Sequence, residues 1–213
     1  LWGMLDLGKL SRRYLSDVVS GSGLVSAERY RGVYDGWSGR YDRVFEEEGR
    51  IGRAGEGAGC FEHLYGVAVH GTGADQRVAG ADLPNGKVCV FNVASGELLW
   101  EVGRQEGPGR LVRPIGVAFN VRGELFVSDR ARHRIVVYDG DGVFVRMFGS
   151  KGSGEGQFWL PSRLAFTADG HLAVADSRNH RVQVFGEDGT FVRSIGSEGR
   201  GEGEFRNPSD VCV

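Results

Sequence analysis

A 47-residue period runs through the second half of the chain, and it constrains the fold more than any other feature. Pro114, Pro161 and Pro208 are spaced at this interval, and so are Asp82, Asp129 and Asp176. An aromatic residue follows each of these aspartates nine positions later: Phe91, Tyr138 and Phe185. The stretch from Pro114 aligns with the stretch from Pro161 without a gap. Self-similarity at a fixed period of this length marks an architecture of stacked supersecondary units.

Each unit reads as four short strands. In the best-defined copy these fall at 117–119, 125–128, 135–138 and 144–148, all rich in β-branched and aromatic residues. The turns between them fall at Arg122-Gly123, at Asp139-Gly140-Asp141-Gly142 and in a glycine-rich run from Gly149 to Gly156. The 36 glycines of the chain supply these turns. Four antiparallel strands per repeat is the pattern of a propeller blade, and a β-sandwich has no need of strict repetition. The expected fold is therefore all-β, a β-propeller of four-stranded antiparallel blades.

The segment Asp176-Ser177-Arg178-Asn179-His180-Arg181, with its earlier copy Asp129-Arg130-Ala131-Arg132-His133-Arg134, resembles the NHL repeat. That family is named for an Asn-His-Leu run at this place, and Arg181 stands here for the Leu. A proline before the first strand, a V-x-D ending to the second and an F-G or I-G close complete the resemblance. It is strong over residues 103–213, fair over 60–103 and weak before. A single domain over 1–213 is expected, with blades at about 64–103, 114–149 and 161–196 and a degenerate blade at 15–52. Residues 208–213 read as the inner strand of a further or closing blade; residues 1–14 have no assignment. With about four blades counted, two arrangements stand open: part of a six-bladed ring, as in relatives, or a closed four-bladed ring. A chain that begins and ends mid-pattern favours the fragment.

Composition narrows the function. A net charge of −2 and a pI near 6.3 do not suit a general nucleic-acid binder, although arginines can still cluster on one face. Cys60, Cys89 and Cys212 are odd in number and far apart, which argues against a disulfide framework or a cysteine zinc site. With no apolar membrane-length run and no signal peptide in view, the cytoplasm is the favoured compartment and no membrane partner is expected.

No catalytic constellation stands out, and no cofactor is expected. The acid–base spacing Asp82…Lys87, Asp129…Arg134 and Asp176…Arg181 is copied into every blade, as a structural ion pair would be and a catalytic dyad would not. Asp139-Gly140-Asp141-Gly142 begins like a calcium loop but lacks the downstream bidentate acid, so it reads as a hairpin turn. Gly152–Gly156 and Gly199–Gly203 lack the Lys-Ser/Thr end of a phosphate loop. Propeller lyases of the wider NHL group bind zinc through channel histidines. Here His133 and His180 occupy one repeat position, while His63, His70 and His171 suggest no third ligand.

In an up-and-down blade, the turn between the second and third strands shares a face with the inter-blade linker. That face would collect Arg113, Arg130, Arg132, His133, Trp159, Arg178, Asn179 and His180 as candidate partner-binding residues. Arg104, Arg110, Lys151, Arg200 and Arg206 belong with them, and Glu106, Glu155, Glu198, Glu202 and Glu204 are interleaved. Arginine beside an aromatic is enriched at protein interfaces and can also grip phosphates and stack bases. The resemblance implies a binding or scaffold module that recognises a protein partner as part of a larger chain or complex. Single-stranded RNA is the alternative partner, and a lyase-type metalloenzyme the second alternative. A solvated rim of arginines paired to neighbouring glutamates is the remaining possibility for this face.

Overall fold

The computed structural model describes residues 51–55 and 57–213. The degenerate blade expected at 15–52 and the segment 1–14 lie outside these, save residues 51 and 52. Three four-stranded antiparallel sheets follow one another. The first comprises β3 (Leu64–His70), β4 (Arg77–Asp82), β5 (Lys87–Asn92) and β6 (Leu98–Val102), after a small parallel pair, β1 (Arg53–Ala54) and β2 (Cys60–Phe61). The second comprises β7 (Pro114–Phe119), β8 (Leu125–Asp129), β9 (Arg134–Tyr138) and β10 (Phe144–Phe148). The third comprises β11 (Pro161–Phe166), β12 (Leu172–Asp176), β13 (Arg181–Phe185) and β14 (Phe191–Ile195). In each sheet the strands pair in sequence order, so each is an up-and-down blade.

The two-residue period of a strand explains how the blades stack. Along β9, Val136 and Tyr138 turn toward the first blade, where they pack with Ala79, Val88 and Val90. Ile135 and Val137 turn the other way and pack with Leu164, Leu172 and Phe185 of the third blade. The middle strands β8 and β9 are therefore apolar on both faces and buried throughout. Full burial of side chains such as Phe126, Phe158 and Phe185 contributes about 2 kcal/mol each.

The first strands of the blades line the centre. Gly66 and Gly116 permit close approach there: a Cβ on Gly66 would lie 2.2 Å from the Ile115 carbonyl oxygen, and one on Gly116 would lie 2.7 Å from that of Ser162. Ser128 Oγ donates to the Ser162 carbonyl at 2.6 Å, and Ser162 Oγ donates to that of Ser209 at 2.8 Å. Residues 208–213 thus lie against β11, without a strand ladder. Arg163 spans from the third blade to the first, donating to the Tyr65 carbonyl at 2.7 Å and pairing with Asp210 at 3.3 Å.

The linkers between blades share one design. Those after the second and third blades return on themselves through a short parallel contact, Lys151 with Phe158 and Glu198 with Phe205, and each linker presses an apolar side chain onto the glycine that closes the preceding blade. A Cβ on Gly149 would lie 2.5 Å from the Phe158 ring, and one on Gly196 would lie 2.3 Å from that of Phe205. The F-G and I-G closes are therefore seats for the next linker. The Gly-rich runs fold as these loops, and the Asp139 turn is closed by its own carboxylate, which accepts the Asp141 and Val143 amides at 2.9 Å.

Candidate binding face

The turns after β8 and β12 are single 3-10 turns, Arg130–Arg132 and Ser177–Asn179, and they lie beside the linkers. Three recurring bonds fix this arrangement. The Arg130 amide donates to the Arg113 carbonyl at 3.0 Å, and the Arg178 amide donates to that of Trp159 at 3.0 Å. The buried aspartate ending each second strand accepts linker amides. Asp129 Oδ1 takes those of Val112 and Arg113, Asp176 Oδ1 takes that of Trp159 at 2.7 Å, and Asp82 takes those of Glu62 and His63. Finally, His133 Nδ1 accepts the Leu160 amide at 3.0 Å, and His180 Nδ1 accepts the Asn207 amide at 3.1 Å.

These bonds give the repeated motif residues a structural task. His133 and His180 both adopt a left-handed backbone at φ 55°, where the first blade uses Gly86 at φ 62°. The His133 pKa is held below the ordinary imidazole value, chiefly by burial and then by the Lys151 charge. Asn179 spends its amide on the Gly152 carbonyl and on Asp176. Arg132 reaches back to the Arg110 carbonyl at 3.0 Å.

The expected acid–base pairs form in two blades of three. Arg181 Nε lies 2.9 Å from Asp176 Oδ2 as a hydrogen-bonded pair, and Arg134 Nε lies 3.6 Å from Asp129 Oδ2 as a charge contact. Lys87 departs from the pattern. Its ammonium pairs with Glu101 at 3.0 Å and donates to the Gly57 carbonyl, while Asn85 serves Asp82 instead. A guanidinium carries a donor on Nε, close to its own backbone, and so can turn back onto the strand end; lysine has its charge only at the tip.

Exposed Arg113, Arg178 and Trp159 and half-buried Arg130 remain as a group at the junction of the second and third blades. Arg130 reaches across the junction, its Nη1 3.4 Å from the Leu160 carbonyl, next to Trp159. Its pKa is lowered by burial, then by the charges of Arg178 and Arg113. Trp159 is 48% exposed. Among the described residues, none of these three arginines forms an ion pair, and on this face Arg110 pairs with Glu106. The opposite face behaves differently: Arg122 bridges Glu124 and Glu187, and Arg146 pairs with Glu124.

The histidines do not converge. His70 packs on Phe119, while His171 pairs with Asp169 at the end of the blade remote from His180. Among the described residues no group of three His, Cys, Asp or Glu side chains is placed to hold a metal ion. Among them, too, no helix is long and apolar enough to cross a membrane.

The model of the family described as the NHL repeat matches residues 111–138 and 158–185, each match running from the linker plug through the third strand. Two segments of the chain match the NHL repeat. No curated protein matches it significantly in sequence. Among solved structures, hydrazine synthase of Kuenenia stuttgartiensis is similar at 15% identity and a TM-score of 0.53, over 73% of this chain and 41% of that one. The WD40 repeats of RRP9 are similar at 18% identity and a TM-score of 0.54, over 68% and 40%. A protein of unknown function from Bacteroides thetaiotaomicron is similar at 20% identity and a TM-score of 0.55, over 70% and 42%. The chain thus spans about 40% of the length of these structures, and the likeness is one of propeller fold.

The sequence pointed to the repeated aspartates but joined them only to the base five residues on. Their bonds to the linker amides went unread, because the partners are backbone groups about 17 residues earlier that carry no side-chain signature.

Proposed function

We propose that this NHL-repeat propeller is a binding module that recognises a protein partner through the face made by its second-to-third-strand turns and its linkers. One observation carries the reading: Arg122 and Arg146 are neutralised by glutamates on the opposite face, whereas Arg113, Arg130 and Arg178 form no ion pair among the described residues and stand beside the exposed Trp159. A cationic group without internal counter-charge next to a large aromatic has the composition of an interface centre. A photo-crosslinking side chain placed at Trp159 should give discrete protein adducts in the cells that make the protein. The same group at Val143, exposed in the third turn of the second blade, should not. Equal labelling from both positions, or none from Trp159, would overturn the reading.

Single-stranded RNA is the second reading, favoured by the same juxtaposition of arginine and tryptophan, which can hold a phosphate and stack a base. It requires a random single-stranded RNA pool to bind with a steep salt dependence and to be released by Arg132→Glu/Arg178→Glu.

A further inference from the structure

The aspartate latch and the glycine seat recur in all three blades and the histidine acceptor in two, as features that build a repeat do. The arginine group does not recur. The equivalents of Arg113, Arg130 and Arg178 one blade earlier are His63, Leu83 and Ala131, and the Leu83 amide bonds the His63 carbonyl at 3.4 Å just as Arg130 bonds Arg113. The same backbone frame therefore stands at two junctions, and three guanidiniums are placed at only one. Bringing like charges together opposes folding, and nothing in the blade architecture asks for it.

We propose that Arg113, Arg130 and Arg178 form an anion site that takes an aspartate or glutamate side chain of a peptide partner, with an apolar neighbour of that acid laid on Trp159. This rests on the protein-binding reading above and names its central contact. Guanidiniums match the two oxygens of a carboxylate in a forked geometry. Arg113 and Arg178 are exposed, whereas Arg130 is half-buried and fixed by its bond to the Leu160 carbonyl, so the site has one rigid donor and two adjustable ones. A carboxylate fits better than a phosphodiester strand because glutamates are interleaved with the basic residues along this face. Glu155, Glu198 and Glu202, all exposed, stand on the linkers that a continuing strand would meet. A peptide can present one acid there and leave the glutamates to solvent.

The test is a selection from a random dodecapeptide phage library on the full immobilised chain, counter-selected on an Arg113→Gln/Arg178→Gln variant. Neither replaced side chain makes a hydrogen bond or ion pair among the described residues, so the variant should keep its melting curve, which is checked first. Selected peptides are expected to share an Asp or Glu beside an apolar residue. They should weaken roughly tenfold or more toward the variant, and by a similar factor when their acid is changed to its amide. Peptides that compete with the Trp159 adducts but need no acid would sink the carboxylate site while sparing the binding face. Failure to enrich any peptide would also overturn the proposal, as would an oligouridylate that binds in an Arg178-dependent way.

Discussion

Removing the Asp176 carboxylate should loosen the third blade from its linker, at a cost that can be worked from its bonds. The side chain is fully buried and accepts four donors: the Trp159 amide at 2.7 Å, Asn179 Nδ2 at 2.8 Å, Arg181 Nε at 2.9 Å and Gln183 Nε2 at 3.1 Å. In Asp176→Ala two of these nitrogens keep another acceptor, Asn179 Nδ2 on the Gly152 carbonyl and Gln183 Nε2 on that of Gln157. Arg181 holds the Gly154 and Gln157 carbonyls through Nη2, so its Nε loses its acceptor. The Trp159 amide has none, and an orphaned buried amide costs about 1–3 kcal/mol. Adding the largely buried guanidinium left without its counter-charge brings the expected loss to about 3–5 kcal/mol. Asp176→Asn should recover little, because its amide group would point donors at donors. Asp82→Ala should cost about 1–2 kcal/mol less, since Lys87 is paired with Glu101 and no cation loses its partner. Urea unfolding followed by tryptophan fluorescence reads all three, and Trp159 reports from the latch itself. If Asp176→Asn matches the parent protein, or the two alanine variants are equally stable, the charge-based account of the latch is wrong.

Three further outcomes are expected. Gly66→Ala would place its Cβ 2.2 Å from the Ile115 carbonyl oxygen, so it should cost about 1–3 kcal/mol by forcing β3 from β7; an unchanged urea midpoint would show that the inner strands can part freely. The Cys89 thiol is buried and its pKa is pushed up to about 12, whereas Cys212 is exposed, so iodoacetamide at neutral pH should modify Cys212 and spare Cys89, as peptide mapping would show. The His133 imidazole titrates below its unfolded value of about 6.5, so the unfolded chain takes up the proton first; its contribution is complete above about pH 6.5 and is lost as pH falls through the lower folded value. His70 acts in the same sense, and His133→Asn, which tolerates the left-handed backbone and can still accept the Leu160 amide, should flatten part of the slope of stability against pH.

Fold class and blade architecture were legible in the sequence because a propeller repeats its own reasons. The proline opening the first strand and the V-x-D ending recur in the second and third blades, and the closing glycine in all three, because each blade meets its linker in the same way. The candidate face was legible only in outline. Chain order placed Arg113, Arg130, Arg132, His133, Trp159, Arg178, Asn179 and His180 together. It did not separate residues whose polar atoms are consumed by the fold, such as Asn179 and the two histidines, from those left unspent. That separation depends on hydrogen bonds to carbonyls and amides far along the chain, which no local pattern encodes. Lys87 shows the same limit from the other side: it stands at the position of Arg134 and Arg181, yet the reach of its side chain sends it to Glu101.

The histidine position shows how one repeat site can serve the fold without being chemically required by it. Gly86, His133 and His180 all hold the left-handed turn, so the backbone needs only a residue that accepts a positive φ. Histidine adds an acceptor for the next linker, and that linker carries Leu160 or Asn207, themselves at positive φ. Two strained turns in successive segments thus support each other through one hydrogen bond. Arg113 lies just before the second blade, Arg130 in its turn, and Trp159 in the linker that this bond fixes. The motif histidines, which resemble metal-binding groups in sequence, therefore serve to fix the linkers, and His133 fixes the one that carries Trp159.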